Sequence, residues 1–227
     1  MKLTVIIPAY NEAVTIEQLL KKVFDAPIGI DKEVLVINDG STDTTAFILE
    51  KYNNKVQIIE HGVNKGKGAA IRTGLEYASG DLVIIQDADL EYDPNDFQKL
   101  LEPIVNGRAD VVFGSRNLSP NNKRAGSIYY FGGVVLTKLA NLLFNINITD
   151  EPTCYKLFKT EIIKSLNLKC ERFEFCPEVT AKIAKRGYRI VEIPIAYYPR
   201  TVAEGKKINW LDGVRAVWTL VKYRFYD

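Results

Sequence analysis

The chain has 227 residues, 47% of them hydrophobic and 26% charged, which is the make-up of one globular domain and excludes disorder or a fibrous repeat. Thirty Lys and Arg stand against 28 Asp and Glu, a formal charge of +2, too balanced for a chain that coats nucleic acid. Three cysteines without C-x-x-C spacing (Cys154, Cys170, Cys176) and a single histidine (His61) argue against a zinc site or a disulfide framework, so free thiols in a reducing cytoplasm are the expectation.

In chain order, the apolar run over 3–8 meets Pro8 and Glu12 and reads as a first strand, not a secretion signal. Ile16, Leu19, Leu20, Val23 and Phe24 recur at helical spacing and predict one buried helix face. Residues 33–37 form the second predicted strand, followed by Ser41, Thr42 and Asp43 as capping residues for the next helix. Strands over 56–60 and 82–86 bracket a helix over 68–78, and Asp93-Pro94 opens a helix with the face Phe97, Leu100, Leu101, Ile104 and Val105. A fifth strand over 110–115 completes an alternation that signals parallel βαβ units.

From 115 to 149 there is no Asp or Glu, while Arg116, Lys123, Arg124 and Lys138 give a local charge of +4, inviting an anionic visitor. The apolar stretch 128–148 is broken by Gly132, Gly133, Lys138, Asn141, Asn145 and Asn147, and it falls short of the ~20 apolar residues of a membrane span. Residues 154–159 read as a strand, 177–186 as a helix closed by Gly187, and 188–197 as a strand. From 209 to 225, Trp210, Val214, Val217, Trp218, Val221 and Phe225 make a helical stripe, and the region 199–227 carries net +3; the stripe reads equally as core packing or as an interfacial membrane helix. One domain is expected, with a nucleotide-binding half to about 115, an acceptor-side half over 116–207 and the terminal amphipathic helix over 209–225.

The glycine-rich stretch 62–68 fits neither familiar phosphate loop. A Walker loop needs four residues between its glycines and Ser or Thr after the lysine, and the dinucleotide fingerprint needs glycine where Ile71 stands. Acids instead occur where strands end: Asp39 after the second, Asp87 and Asp89 after the fourth. Ligands of open α/β sheets bind at those ends. In an extended segment, residues two apart point the same way, so Asp87, Asp89 and Glu91 form a row of hard oxygen donors suited to a divalent cation.

The motifs IIPAYNE (6–12), VINDGSTD (36–43), NKGKGAAIRTG (64–74), QDADLEYDP (86–94) and VFGSR (112–116) together resemble glycosyltransferase family 2. With TCYKLFK (153–159) and the pair Arg200 and Lys206, the sequence is most similar to the dolichol-phosphate mannose synthases and related polyprenyl-phosphate glycosyltransferases. The resemblance implies an α/β GT-A fold, a Rossmann-like half with a mostly parallel sheet plus an acceptor-side half, and sugar transfer with inversion. It implies a GDP- or UDP-sugar donor and a lipid-phosphate acceptor at the cytoplasmic membrane face, with a membrane-anchored partner subunit left open. By position, Pro8, Tyr10, Glu12, Ile37 and Asp39 hold base and ribose. Asp87, Ala88 and Asp89 line the diphosphate, with Asp87, Asp89 and Glu91 as ligands of Mg²⁺ or Mn²⁺, and Arg116, Arg200 and Lys206 clamp phosphates.

His61 reads as a strand-end polar residue, and Glu178 as a helix-dipole cap or a substrate contact. Asp150, Glu151 and Glu178 are the candidate bases if the acceptor is a saccharide or protein hydroxyl instead. A sugar-nucleotide pyrophosphorylase and a non-catalytic sensor are the remaining alternatives, although the first expects a basic glycine-rich loop where PAYNE stands.

Overall fold

The computed structural model describes residues 1–123, 127–201 and 207–226. One seven-stranded sheet runs through it in the order β3-β2-β1-β4-β6-β5-β7. The parallel part is β1 (Lys2–Ala9), β2 (Asp31–Asn38), β3 (Gln57–Glu60) and β4 (Leu82–Ile85), linked by α1 (Ile16–Asp25), α2 (Thr45–Glu50) and α3 (Lys67–Tyr77). After β4, a short 3-10 turn (Pro94–Asp96) leads into α4 (Phe97–Val105) and β5 (Val111–Ser115). Asp93 accepts the Asn95 amide at 3.1 Å ahead of Pro94, the expected cap and first-turn proline.

The second half holds α5 (Ser127–Phe144), β6 (Lys156–Lys159), α6 (Thr160–Ser165), α7 (Phe175–Lys185), β7 (Ile190–Pro194) and α8 (Trp210–Phe225). β6 inserts antiparallel between β4 and β5, and β7 runs parallel to β5 at the edge. Strand alternation sets the two cores. Leu3, Val5 and Ile7 of β1 with Leu82 and Ile84 of β4 face α1 and α4, whereas Ile6, Val83 and Ile85 face α3 and α7. The expected face of α1 is fully buried at Ile16, Leu19, Leu20 and Val23, each contributing about 1.5–3 kcal/mol.

Among the described residues, no helix is long and apolar enough to cross a membrane. On α8 the anticipated stripe points away from the core. The helix packs on α5 and α7 through Ala216, Thr219, Leu220 and Tyr223, while Trp210, Trp218 and Phe225 are 74%, 64% and 72% exposed. The core-packing reading of the stripe is thereby corrected.

Candidate active site at the carboxyl ends of the parallel strands

Register brings the site together. Pro8 pairs with Ile37 and Ala9 with Asn38, so the chain leaves β1 at Tyr10–Glu12 beside Asp39. Ile6 pairs with Ile85, and the Gln86 amide donates to the Ile6 carbonyl at 2.9 Å, which sets Asp87 to Asp89 just past β4 on the same sheet edge. A cleft of about 1150 Å³ opens there, lined by Asn11, Glu12, Asp89, Lys123, Tyr197 and Arg200 among others.

Arg200 ties three acids, Asp89, Glu12 and Glu91. Its Nη2 donates to Asp89 Oδ2 at 2.9 Å, its Nη1 to Glu12 Oε2 at 3.4 Å, and its backbone amide to Glu91 Oε1 at 2.9 Å. Arg200 Nε is buried and meets no hydrogen-bond partner among the described residues. Lys207 Nζ adds an ion pair to Glu12 Oε1 at 2.7 Å and lies over the Tyr10 ring. Lys206 lies outside the described residues, and its neighbour Lys207 was not singled out from the sequence.

Asp87 pairs with Lys67 Nζ at 2.5 Å, and Lys67 also donates to Cys154 Sγ at 2.9 Å. Burial, together with the negative charges of Asp87 and Glu91, pushes the Asp89 carboxyl up to about 7 despite Arg200. Asp87 and Asp89 are the carboxylates here that could hold a divalent cation, and each faces one cation, Lys67 or Arg200. No cluster of three or more His, Cys, Asp or Glu suited to a metal occurs among the described residues. Two carboxylates completed by substrate phosphates and water are the ordinary supply for Mg²⁺.

The expected row of three acids does not form. Leu90 takes a left-handed φ of 62°, and Asp89 Oδ1 accepts the Glu91 amide at 3.1 Å, so the segment turns instead of extending. The Glu91 carboxylate faces the Tyr197 hydroxyl at 3.0 Å and the Arg200 amide, where it anchors the segment carrying Arg200. This removes Glu91 from the ligand set.

Asp39 also differs from expectation. Its Oδ1 accepts the Lys65 amide at 2.9 Å and lies 2.6 Å from His61 Nδ1, while Oδ2 accepts the Gly66 amide at 2.8 Å. Asp39 is 1% exposed and shapes the loop after β3 instead of offering a free acceptor to a ribose or base. Gly66 reaches it only through a φ of 96°, open to glycine at low cost, and His61 bridges onward to Thr73 Oγ1 at 3.0 Å. The Ile37 side chain is buried against α3, so that residue offers the cleft only its backbone; Ala88 is buried as well, and Pro8 and Tyr10 are partly exposed.

On the acceptor side, every proposed base is engaged or sealed. Asp150 holds Arg116 through its amide and Nε, both at 2.8 Å, and through Nη2 at 2.6 Å. Arg116, expected as a phosphate clamp, is therefore locked, with its guanidinium over the Tyr197 ring at 5.0 Å. Glu178 is fully buried and accepts from the Lys169 amide at 2.8 Å, the Cys170 amide at 2.6 Å, Lys182 Nζ at 2.6 Å and the Tyr223 hydroxyl at 2.8 Å. Burial works against its charge, but Lys182 and these donors outweigh it and hold the carboxyl below the ordinary glutamate value. Glu151 is fully buried, and neither of its oxygens accepts a hydrogen bond of normal geometry, although the Thr180 hydroxyl lies close.

Sequence reading missed Lys67 and Lys207 as partners of site acids, and Asp150 as the partner of Arg116. For Lys67 a signal existed: a lysine between two glycines, ahead of a helix that runs along the sheet.

The profile of glycosyl transferase family 2 matches residues 4–166. A dolichol-phosphate mannosyltransferase of Pyrococcus furiosus is 29% identical over 217 residues, covering 91% of this chain, which spans only 59% of that protein's length. A UDP-N-acetylglucosamine–dolichyl-phosphate N-acetylglucosaminyltransferase of Methanococcus voltae is 30% identical over 227 residues, covering 89% of each chain. The fold is similar to that of glucosyl-3-phosphoglycerate synthase from Mycobacterium tuberculosis, solved with Mn²⁺, UDP and glucosyl-3-phosphoglycerate. That match has a TM-score of 0.74 at 19% identity and covers 100% of this chain and 81% of the other. A strand-end site with paired acids, on a GT-A sheet and under a family match across most of its length, sets aside the pyrophosphorylase and sensor readings: the chain belongs to glycosyl transferase family 2 and is a glycosyltransferase.

Proposed function

We propose that this enzyme transfers a sugar, with inversion, from a GDP- or UDP-sugar to the phosphate of a polyprenyl or dolichyl lipid at a membrane surface. The observation that carries the acceptor class is the state of the three candidate bases: Asp150 is locked on Arg116, Glu178 on Lys182 and backbone amides, and Glu151 is sealed in the core. A hydroxyl acceptor must lose a proton to a positioned base, whereas a phosphate monoester, with a second pKa of about 6, arrives as an anion. What the phosphate needs is positive charge, and Lys99, Lys123, Arg200 and Lys207 line the cleft.

In this reading Asp87 and Asp89 hold Mg²⁺ or Mn²⁺, which when bound offsets the charge that builds on the departing nucleoside diphosphate. Arg200, with Lys206 and Lys207 on the same segment, neutralises phosphate oxygens, and Glu91 with Tyr197 holds that segment in place. Tyr10, Glu12 and the turn after β2 shape the nucleoside end. Arg116 keeps the 149–151 backbone against β5 and acts by positioning. The names of the two relatives divide between mannose and N-acetylglucosamine, and both name a dolichol phosphate, so they support the acceptor class while leaving the donor open.

Membrane contact in this account comes from α8 and α5. Trp210, Val214, Trp218, Val221 and Phe225 fall within an arc of about 80° at 100° per residue, opposite the packed face of α8. Phe131, Val135 and Leu142 of the neighbouring α5 are exposed too. Arg215, Lys222 and Arg224 flank the arc, the arrangement of a helix lying in the headgroup layer.

Single-turnover assays with saturating donor and polyprenyl phosphate test the acceptor assignment. Glu178→Gln, corrected for folded fraction, is expected to keep most of the wild-type rate while Arg200→Ala loses at least about 100-fold. Near-complete loss in folded Glu178→Gln with mild loss in Arg200→Ala would favour the hydroxyl reading.

A further inference from the structure

A second recess lies away from the cleft, between α7 and α8. Its volume is about 220 Å³, and its walls are Lys169, Glu174, Arg215, Trp218, Lys222 and Tyr223 over a floor that includes Glu178. A water's share of liquid volume is about 30 Å³, so the recess has room for a phosphate ester.

We infer that this recess holds the phosphate of an anionic glycerophospholipid of the supporting bilayer, at a site separate from the acceptor phosphate. Three cations line it against two acids, and one of the acids, Glu178, is already paired with Lys182. Glu178 is covered by Lys182, the Tyr223 hydroxyl and two amides, and Glu174 Oε1 faces the Glu171 amide at 3.3 Å. Among the described residues the Arg215 guanidinium meets one acid, Asp212 Oδ1 at 3.5 Å, while Asp212 Oδ2 accepts the Asn209 amide at 2.9 Å in the α8 capping box. Lys222 has its ammonium over the Tyr223 ring at 5.3 Å.

Position identifies the source of the phosphate. Arg215, Trp218 and Lys222 share one flank of α8, and Trp218 belongs both to the wall of the recess and to the exposed apolar arc. With the arc immersed in a bilayer, the mouth of the recess lies where headgroup phosphates lie, and an indole at that boundary is in its preferred setting. This inference rests on the membrane reading given above.

Vesicle sedimentation of the full chain tests it, with phosphatidylcholine vesicles and the same vesicles containing phosphatidylglycerol. Wild type is expected to bind both and to prefer the anionic vesicles roughly tenfold or more. Arg215→Gln/Lys222→Gln is expected to lose that preference while still binding phosphatidylcholine. Lys51→Gln/Lys55→Gln, an equal charge change at exposed positions on the α2 side, keeps it. Equal binding of both vesicles by wild type, or equal loss in the two double variants, would overturn the headgroup site and leave the membrane reading standing. Binding to neither vesicle would overturn both. A micromolar response of tryptophan fluorescence to glycerol 3-phosphate alone, without vesicle preference, would assign the recess to a soluble phosphate and overturn the lipid assignment.

Discussion

Arg116 gives the Asp150 carboxylate three donors, its amide, Nε and Nη2, and with them ties the end of β5 to the chain entering β6. The pair is nearly sealed, with side-chain exposures of 21% and 2%. Burial opposes the charge of the guanidinium, but the carboxylate outweighs it and raises the Arg116 pKa. Breaking such a pair from one side leaves a buried charge without a partner.

That relationship predicts a stability effect where the family resemblance predicted a substrate effect. Arg116→Ala and Asp150→Ala should each cost about 3–5 kcal/mol in urea unfolding, and the double variant should cost clearly less than their sum. A stable Arg116→Ala protein with a raised KM for donor or acceptor would restore Arg116 as a phosphate clamp.

Asp89→Asn separates donor binding from folding. The substitution keeps the size of the side chain, and its single carbonyl oxygen can keep one of the two bonds, from Arg200 or from the Glu91 amide, so Tm without ligand should fall only moderately. Stabilisation by the nucleotide-sugar donor in the presence of Mn²⁺, measured by thermal shift, should vanish, and turnover should drop by at least about 100-fold. Wild-type turnover in this variant would remove the metal from the account.

Glu151 predicts a pH effect whose sign follows from its burial. Desolvation, with smaller contributions from Cys176 and Asp150 and against the pull of Lys156, raises its carboxyl from 4.5 to about 7. Between those values the folded chain keeps a proton that the unfolded chain has released. Stability from this group is therefore complete below about pH 4.5 and declines as pH rises to about 7, by a total on the order of 1–3 kcal/mol. Glu151→Gln should match wild type near pH 5 and exceed its Tm near pH 8. Equal destabilisation at both pH values would show that the residue is an ionised partner of Lys156.

The strands of the parallel half were legible because parallel strands buried on both faces read as continuous β-branched runs, and β1, β2 and β4 are such runs; their order in the sheet was not. The candidate site was placed from the sequence for the same reason, since Asp39, Asp87 and Asp89 each follow one of those runs. Partners were not legible. Arg116 finds Asp150 because β6 enters antiparallel between β4 and β5, and nothing in residues 154–159 states that direction. Lys67 finds Asp87 because α3 starts beside the end of β4, a relation of three dimensions. Periodicity showed that α8 has an apolar side but not what covers it, because its core-facing side is built from Ala216, Thr219, Leu220 and Tyr223 and reads as the more polar one.

The most direct test gives the enzyme two lipids that differ only in the reacting group, polyprenyl phosphate and the corresponding polyprenol, with the same labelled nucleotide sugar and Mn²⁺. A sugar linked to lipid through phosphate is expected from the first, with no transfer above background to the second. Transfer to polyprenol or to a free saccharide at a rate equal to or above that for polyprenyl phosphate would contradict that expectation.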